Sequence, residues 1–149
     1  MDPDSRRTPV LGGGGVPDVI VADSAWRRMV PGAEVVVRRA AVAAGGAGTV
    51  LLTGDAEVRR LNWRYRGKNK ATNVLTFEGG DIALASGVVR REALASGKTV
   101  RAHLIHLVVH GALHLRGEDH AGPGEARRME MREAVVLHRL GVANPWRHT

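Results

Sequence analysis

Between Val100 and Leu115 the chain runs without a proline through a mostly apolar stretch that contains four histidines. His103, His106, His110 and His114 follow one another at intervals of three, four and four residues. At about 100° per residue in a helix they fall within an arc of roughly 80°, so all four face one side. Leu104, Leu107, Val108, Leu113 and Leu115 occupy much of the remaining circumference. Such a helix is buried, and four imidazoles on a buried helix need polar partners or a metal.

Covering that helix takes one ordinary domain. A chain of 149 residues buries roughly two thirds of its extended surface. Hydrophobic residues are 44% and charged residues 25%, while aromatics are only 3%, which points to a largely aliphatic core. Zero cysteine excludes disulfides and cysteine-ligated metal and fits a reducing cytoplasm. The first twenty residues hold three aspartates and the run Gly12 to Gly15, unlike a signal peptide, and no apolar stretch approaches membrane-spanning length. A cytoplasmic protein with no membrane association is expected. The formal charge of +7 suits a nucleic acid or another anionic surface without choosing between them.

Around the histidine segment, hydrophobic periodicity predicts an α+β order. Residues 1–17, rich in Asp, Pro, Gly and Arg, read as a flexible extension, and residues 18–149 as the domain. Val19–Val21 and Thr49–Thr53 read as strands, Ala33–Ala44 as a helix closed by Gly45-Gly46, and Asp55 as the start of a helix reaching Tyr65. Val58, Leu61 and Tyr65 give that helix one apolar side, so Tyr65 is expected to pack. Arg66–Lys70 reads as a basic loop, Asn73–Phe77 and Asp81–Ala85 as a hairpin or adjacent strands, and Val88–Ala95 as a helix. Gly117 stops the histidine helix, and Gly122-Pro123-Gly124 separates it from an amphipathic helix, Glu125–Leu140. That last helix is expected to pack through Met129, Val136, Leu137 and Leu140, with Arg127, Arg128, Arg132 and Arg139 elsewhere on its surface. Its acidic residues Glu125, Glu130 and Glu133 make it a less distinctive RNA contact than the earlier basic segment. Short strands between helices suit a single compact domain with a short mixed sheet rather than a doubly wound parallel one.

His110 and His114 offer two nitrogens one turn apart, and His120, beyond the break at Gly117, offers a third from a returning loop. Three imidazoles can hold zinc and leave a fourth position for water. The alternative is that the histidines cap and hydrogen-bond in the core, and the spacing leaves both open. A metalloprotease helix carries glutamate directly after its first histidine, where this chain has Gly111, a residue suited to close packing.

The segment His110-Gly111-Ala112-Leu113-His114-Leu115-Arg116-Gly117-Glu118-Asp119-His120 resembles the signature of the bacterial YbeY endoribonuclease and rRNA maturation family. A second matching segment runs from Leu61-Asn62-Trp63-Arg64-Tyr65-Arg66-Gly67-Lys68 to Asn73-Val74-Leu75-Thr76-Phe77, and a third is Gly80-Asp81-Ile82. The resemblance implies an α+β domain with a zincin-like metal-site arrangement: one zinc per monomer on His110, His114 and His120, and Arg66 in the cleft stabilising the phosphate. His103 and His106 are then candidates for supporting positions behind the ligands, and Asp119 for orienting a ligand imidazole. The implied function is a single-strand endoribonuclease in rRNA maturation, at the 3′ end of 16S rRNA, and in ribosome quality control, with the ribosome or its small subunit and associated proteins as partners. Glu118 stands where the family commonly has tyrosine, and Ala71 where proline is common, which removes a ring beside the site and a stiffener from the basic loop.

From Glu57 to Lys70 six basic residues face one acidic residue, a formal +5 over fourteen positions. Arg59, Arg64, Lys68 and Lys70 are the candidate RNA contacts, with Trp63 or Tyr65 able to stack a base. Asn62, Asn73 and Asp81 either organise the cleft or satisfy turns. Two other classes compete with the nuclease: a metallopeptidase, disfavoured by Gly111, and a nonenzymatic RNA-binding or ribosome-assembly protein with a structural metal.

Overall fold

In the computed structural model, which describes residues 15–116 and 123–143, alternation along two short strands divides the protein into two layers of core. The sheet contains β1 (Asp18–Val21), β2 (Thr49–Thr53), β3 (Val74–Phe77) and β4 (Asp81–Ala85) in the order β1-β2-β4-β3. β1, β2 and β4 run parallel, while β3 pairs antiparallel with β4 across the turn at Glu78–Gly80. Successive side chains of a strand point to opposite faces. Val50, Leu52, Ile82 and Leu84 therefore enter the larger core, and Leu75, Ala83 and Ala85 enter a smaller one with Val58. The expected short mixed sheet is present.

Among the described residues six helices surround it: α1 (Ala25–Met29), α2 (Ala33–Ala43), α3 (Asp55–Arg66), α4 (Ser86–Ser96), α5 (Val100–Leu115) and α6 (Pro123–Arg139). α5 packs against α2, α4, α6 and the strands β3 and β4. Its start is set by Thr99, whose Oγ1 accepts a hydrogen bond from Ala102 N at 3.0 Å. Leu104, Ile105, Val108, Val109 and Ala112 are buried in the larger core, where truncating one such leucine to alanine costs about 2 to 5 kcal/mol. Gly111 allows the helix to sit close to the sheet: a Cβ there would stand 3.3 Å from Thr76 Cγ2 and 3.4 Å from Ile82 Cδ1. It is a packing glycine.

α3 covers the opposite face of the sheet through Val58, with Leu61 partly buried. The helix ends one residue later than expected, at Arg66, because Gly67 takes a left-handed conformation (φ 68°) that closes it. Arg66 thus belongs to the helix and not to the loop. α1 was not expected from periodicity, being only five residues long, yet it seats the wholly buried Trp26, whose Nε1 donates to Thr53 O at 2.8 Å. Of the expected N-terminal extension, residues 1–14 lie outside the described residues, and Gly15 O accepts from Ala47 N just before β1.

Candidate active site

The four histidines of α5 share one face, as their spacing requires, but they do not share one environment. Side-chain exposure rises along the helix from 10% at His103 to 16% at His106 and 33% at His110, and His114 is exposed. The face is buried at its start and opens at its end. Along it runs a cleft of about 480 Å³ bounded by α4, α5 and β3, with Asn73, Glu92, His103, His106 and His110 in its walls.

Two carboxylates meet these imidazoles. Glu133 of α6 is 1% exposed, and its Oε1 lies 3.0 Å from His106 Nε2 while its Oε2 lies 2.5 Å from His110 Nδ1. Burial alone pushes the Glu133 carboxyl up, but hydrogen bonds from His106 and His110, with their charges, outweigh it and hold the pKa down to about 2. Glu133 is therefore ionised at neutral pH. A neutral imidazole that donates Nδ1–H to that carboxylate carries its lone pair on Nε2. Farther in, Glu92 of α4 takes His103 Nε2 at 2.8 Å and accepts from Asn73 Nδ2 at 3.0 Å.

Neither glutamate was singled out for the site by sequence reasoning, which counted Glu133 only among the acidic residues of the last helix; it is buried. A signal was present. Met129, Glu133, Val136, Leu137 and Leu140 recur at intervals of four, three, one and three, so Glu133 occupies the apolar side of α6, where an acidic residue demands a partner.

The other expected site residues are distributed around the edge of the sheet. Arg66 Nη2 donates to Thr76 O at 2.5 Å on the edge strand β3, and the Thr76 side chain abuts Gly111, next to His110. Arg66 is not among the residues lining the histidine cleft. Arg59 donates from Nε to Asn69 Oδ1 at 2.7 Å, Arg64 lies over the Tyr65 ring at 5.6 Å, and Lys68 and Lys70 are exposed. The buried Asn62 anchors the basic loop by donating from Nδ2 to Lys70 O at 3.0 Å and accepting at its backbone O from Lys68 N at 3.3 Å, so the loop is tethered. Asn73 borders the cleft, whereas Asp81 ties the start of β4 to the start of β2 by accepting from Thr49 N at 2.9 Å. Tyr65, expected to pack, is 60% exposed.

Among the described residues no three His, Asp or Glu side chains gather to hold a metal. Glu118, Asp119 and His120 lie outside the described residues. Within them, the donor chemistry of His110 fits a metal ligand: an imidazole whose Nδ1 is held by a buried carboxylate presents Nε2 as a fixed, basic donor.

A mixed sheet carrying a histidine helix on one face and a basic helix on the other defines an α+β protein with a candidate imidazole–carboxylate centre. Its fold is similar to the solution structure of TM1509 from Thermotoga maritima, with a TM-score of 0.50 and 22% identity over 89% of this chain and 99% of that one. Within that class, the chain belongs to the Endoribonuclease YbeY family, whose sequence profile matches residues 33–141. It is 49% identical to Endoribonuclease YbeY of Gluconobacter oxydans strain 621H, over 99% of this chain and 93% of the relative. Similarity to Endoribonuclease YbeY of Azorhizobium caulinodans is 40% over 87% and 94% of the two chains. With the protein of that name from Aromatoleum aromaticum it is 53% over 66% and 68%. No helix among the described residues is long and apolar enough to cross a membrane.

Proposed function

We propose that the chain is a zinc-dependent, single-strand-specific endoribonuclease that matures the 3′ end of 16S rRNA and serves ribosome quality control in the cytoplasm. Its partners on this reading are single-stranded rRNA and the small ribosomal subunit with its associated proteins. Endoribonuclease activity follows from the family. The single observation that carries the metal reading is the buried Glu133 carboxylate on His110 Nδ1.

On this reading His110, His114 and His120 hold one zinc per monomer. Bound there, zinc supplies Lewis acidity and lowers the pKa of water. Glu133 fixes the tautomer and angle of the His110 ring, and His106, on the other oxygen of Glu133, satisfies that carboxylate so that it stays in place. Asp119 orients a ligand imidazole. Arg66 stabilises charge growing on the phosphoryl group, a role supported by its guanidinium reaching the β3 edge beside Gly111. Arg59, Arg64, Lys68 and Lys70 contact the RNA backbone.

The packing of Gly111 against Thr76 and Ile82 argues against the peptidase alternative, since the position after the first histidine faces the sheet and offers no room for a general base. A matched assay with defined single-stranded RNA and peptide substrates, with zinc depleted and restored, tests the proposal. RNA cleavage lost on depletion and recovered with zinc is expected, with no peptide turnover. Metal-dependent peptide turnover without RNA cleavage overturns the reading, and metal-independent RNA binding without hydrolysis favours a binding module.

A further inference from the structure

The face of the sheet opposite α5 carries a second groove, of about 450 Å³, lined by Ile20, Leu51, Leu61, Tyr65 and Phe77, with the carboxylate of Asp81 also in its lining. Tyr65 meets Phe77 edge to face, with centroids 5.5 Å apart and planes at 78°. The Tyr65 ring is thus braced by Phe77 while the side chain remains 60% exposed. Such exposure is notable in a chain with only three Trp, one Tyr and one Phe, because each exposed ring forgoes a large apolar burial. The guanidinium of Arg64 lies over the same ring, 5.6 Å from the Tyr65 centroid. Arg59, Lys68 and Lys70 are exposed on the same helix and the loop that follows it.

The geometry points to a nucleobase-stacking subsite on this face: Tyr65, braced by Phe77, takes the plane of an unpaired base while Arg64 and the neighbouring cations hold the flanking phosphates. Charge complementarity selects the occupant, since the formal +5 segment that carries Arg64 and Tyr65 suits a polyanion with flat apolar faces. Bases in a duplex are covered by their own stack, so the subsite takes single-stranded RNA. Tyr65 and Arg66 are adjacent, and Arg66 turns to the β3 edge at Thr76. One strand can therefore place a base on Tyr65 and a neighbouring phosphate at Arg66. The inference rests on the endoribonuclease reading and adds to it a binding element on the face of the sheet opposite the histidines.

The test compares zinc-loaded wild type, Tyr65→Phe and Tyr65→Leu for affinity to a labelled single-stranded oligoribonucleotide, read by anisotropy in the cold before cleavage. The same oligonucleotide is scanned with single abasic positions. Leucine keeps an apolar contact to Phe77 and lacks a stacking face, and matched melting temperatures confirm the fold. Tyr65→Phe is expected to bind as wild type, and Tyr65→Leu roughly tenfold more weakly. One abasic position should weaken the wild type while leaving Tyr65→Leu unaffected. Wild-type RNA cleavage with unchanged Tyr65→Leu affinity, or equal abasic sensitivity in both proteins, overturns the subsite alone. A dimer seen by sedimentation that Tyr65→Leu disrupts, with RNA affinity unchanged, assigns the face to a second copy and also overturns it. Wild type that neither cleaves nor binds RNA removes the endoribonuclease reading and the subsite together.

Discussion

His110 of α5 and Glu133 of α6 meet Nδ1 to Oε2 at 2.5 Å, which joins the histidine helix to the last described helix through a buried charge. Glu133 also holds His106, so two of the four imidazoles take their orientation from one carboxylate. If His110 is a zinc ligand, Glu133→Gln should lower zinc affinity by about 10- to 100-fold while far-ultraviolet circular dichroism stays unchanged. Competition titration against a chromophoric chelator measures this. Wild-type affinity in the variant would remove Glu133 from any role at the metal.

The depressed pKa of Glu133 makes a separate prediction for the metal-free protein. Its carboxyl sits at about 2 in the folded chain against an ordinary value of 4.5, so the folded state favours the ionised form. Stability from this group is present above pH 4.5 and is lost as pH falls through about 2. The loss is on the order of 3 kcal/mol for a shift of that size. Urea unfolding at several pH values should show this acid limb in wild type, and Glu133→Gln should lack that component. Parallel acid limbs in the two proteins would refute it.

Arg66→Ala should slow single-turnover RNA cleavage more than it weakens RNA binding. Loss of a charged donor to the developing phosphoryl charge costs about 2 to 4 kcal/mol, or roughly 30- to 1,000-fold in rate. Arg59→Ala and Lys68→Ala are the controls, expected to act mainly on affinity and its salt dependence. Near-normal cleavage by folded, zinc-loaded Arg66→Ala, or equal rate losses in all three variants, would end the special role of Arg66.

Gly111 can be tested by size. Leucine there would push past Thr76 Cγ2 and Ile82 Cδ1, already 3.3 and 3.4 Å from a Cβ, and should destabilise by about 1 to 3 kcal/mol. Thermal melting of Gly111→Leu, with Gly111→Ala as the smaller step, checks the tight approach of α5 to the sheet. A Leu variant melting with wild type would show that the approach is not tight.

Much of the scaffold was legible because periodicity is a local property. The strands at Thr49–Thr53 and Asp81–Ala85 and the histidine helix through Leu115 were each predicted from patterns of two or of three and four, and each is present. The five-residue α1 escaped because it is too short to display a period. Tyr65 continued the interval of Val58 and Leu61, yet only Val58 is fully buried; Leu61 is partly covered and Tyr65 stands largely in solvent. Periodicity reports which side of a helix is apolar, but how far its neighbour extends along that side is set elsewhere in the chain.

The sequence by itself determined that four imidazoles share one helical face and that a basic segment precedes the first hairpin, since both follow from spacing along a single element. Only the tertiary structure decided which charges answer those imidazoles. Glu92 and Glu133 lie eleven residues before His103 and twenty-three after His110, and no local rule relates such positions. A buried carboxylate finds its partner through helix packing, because the cost of leaving it unpaired is met only when α4, α5 and α6 close on one another.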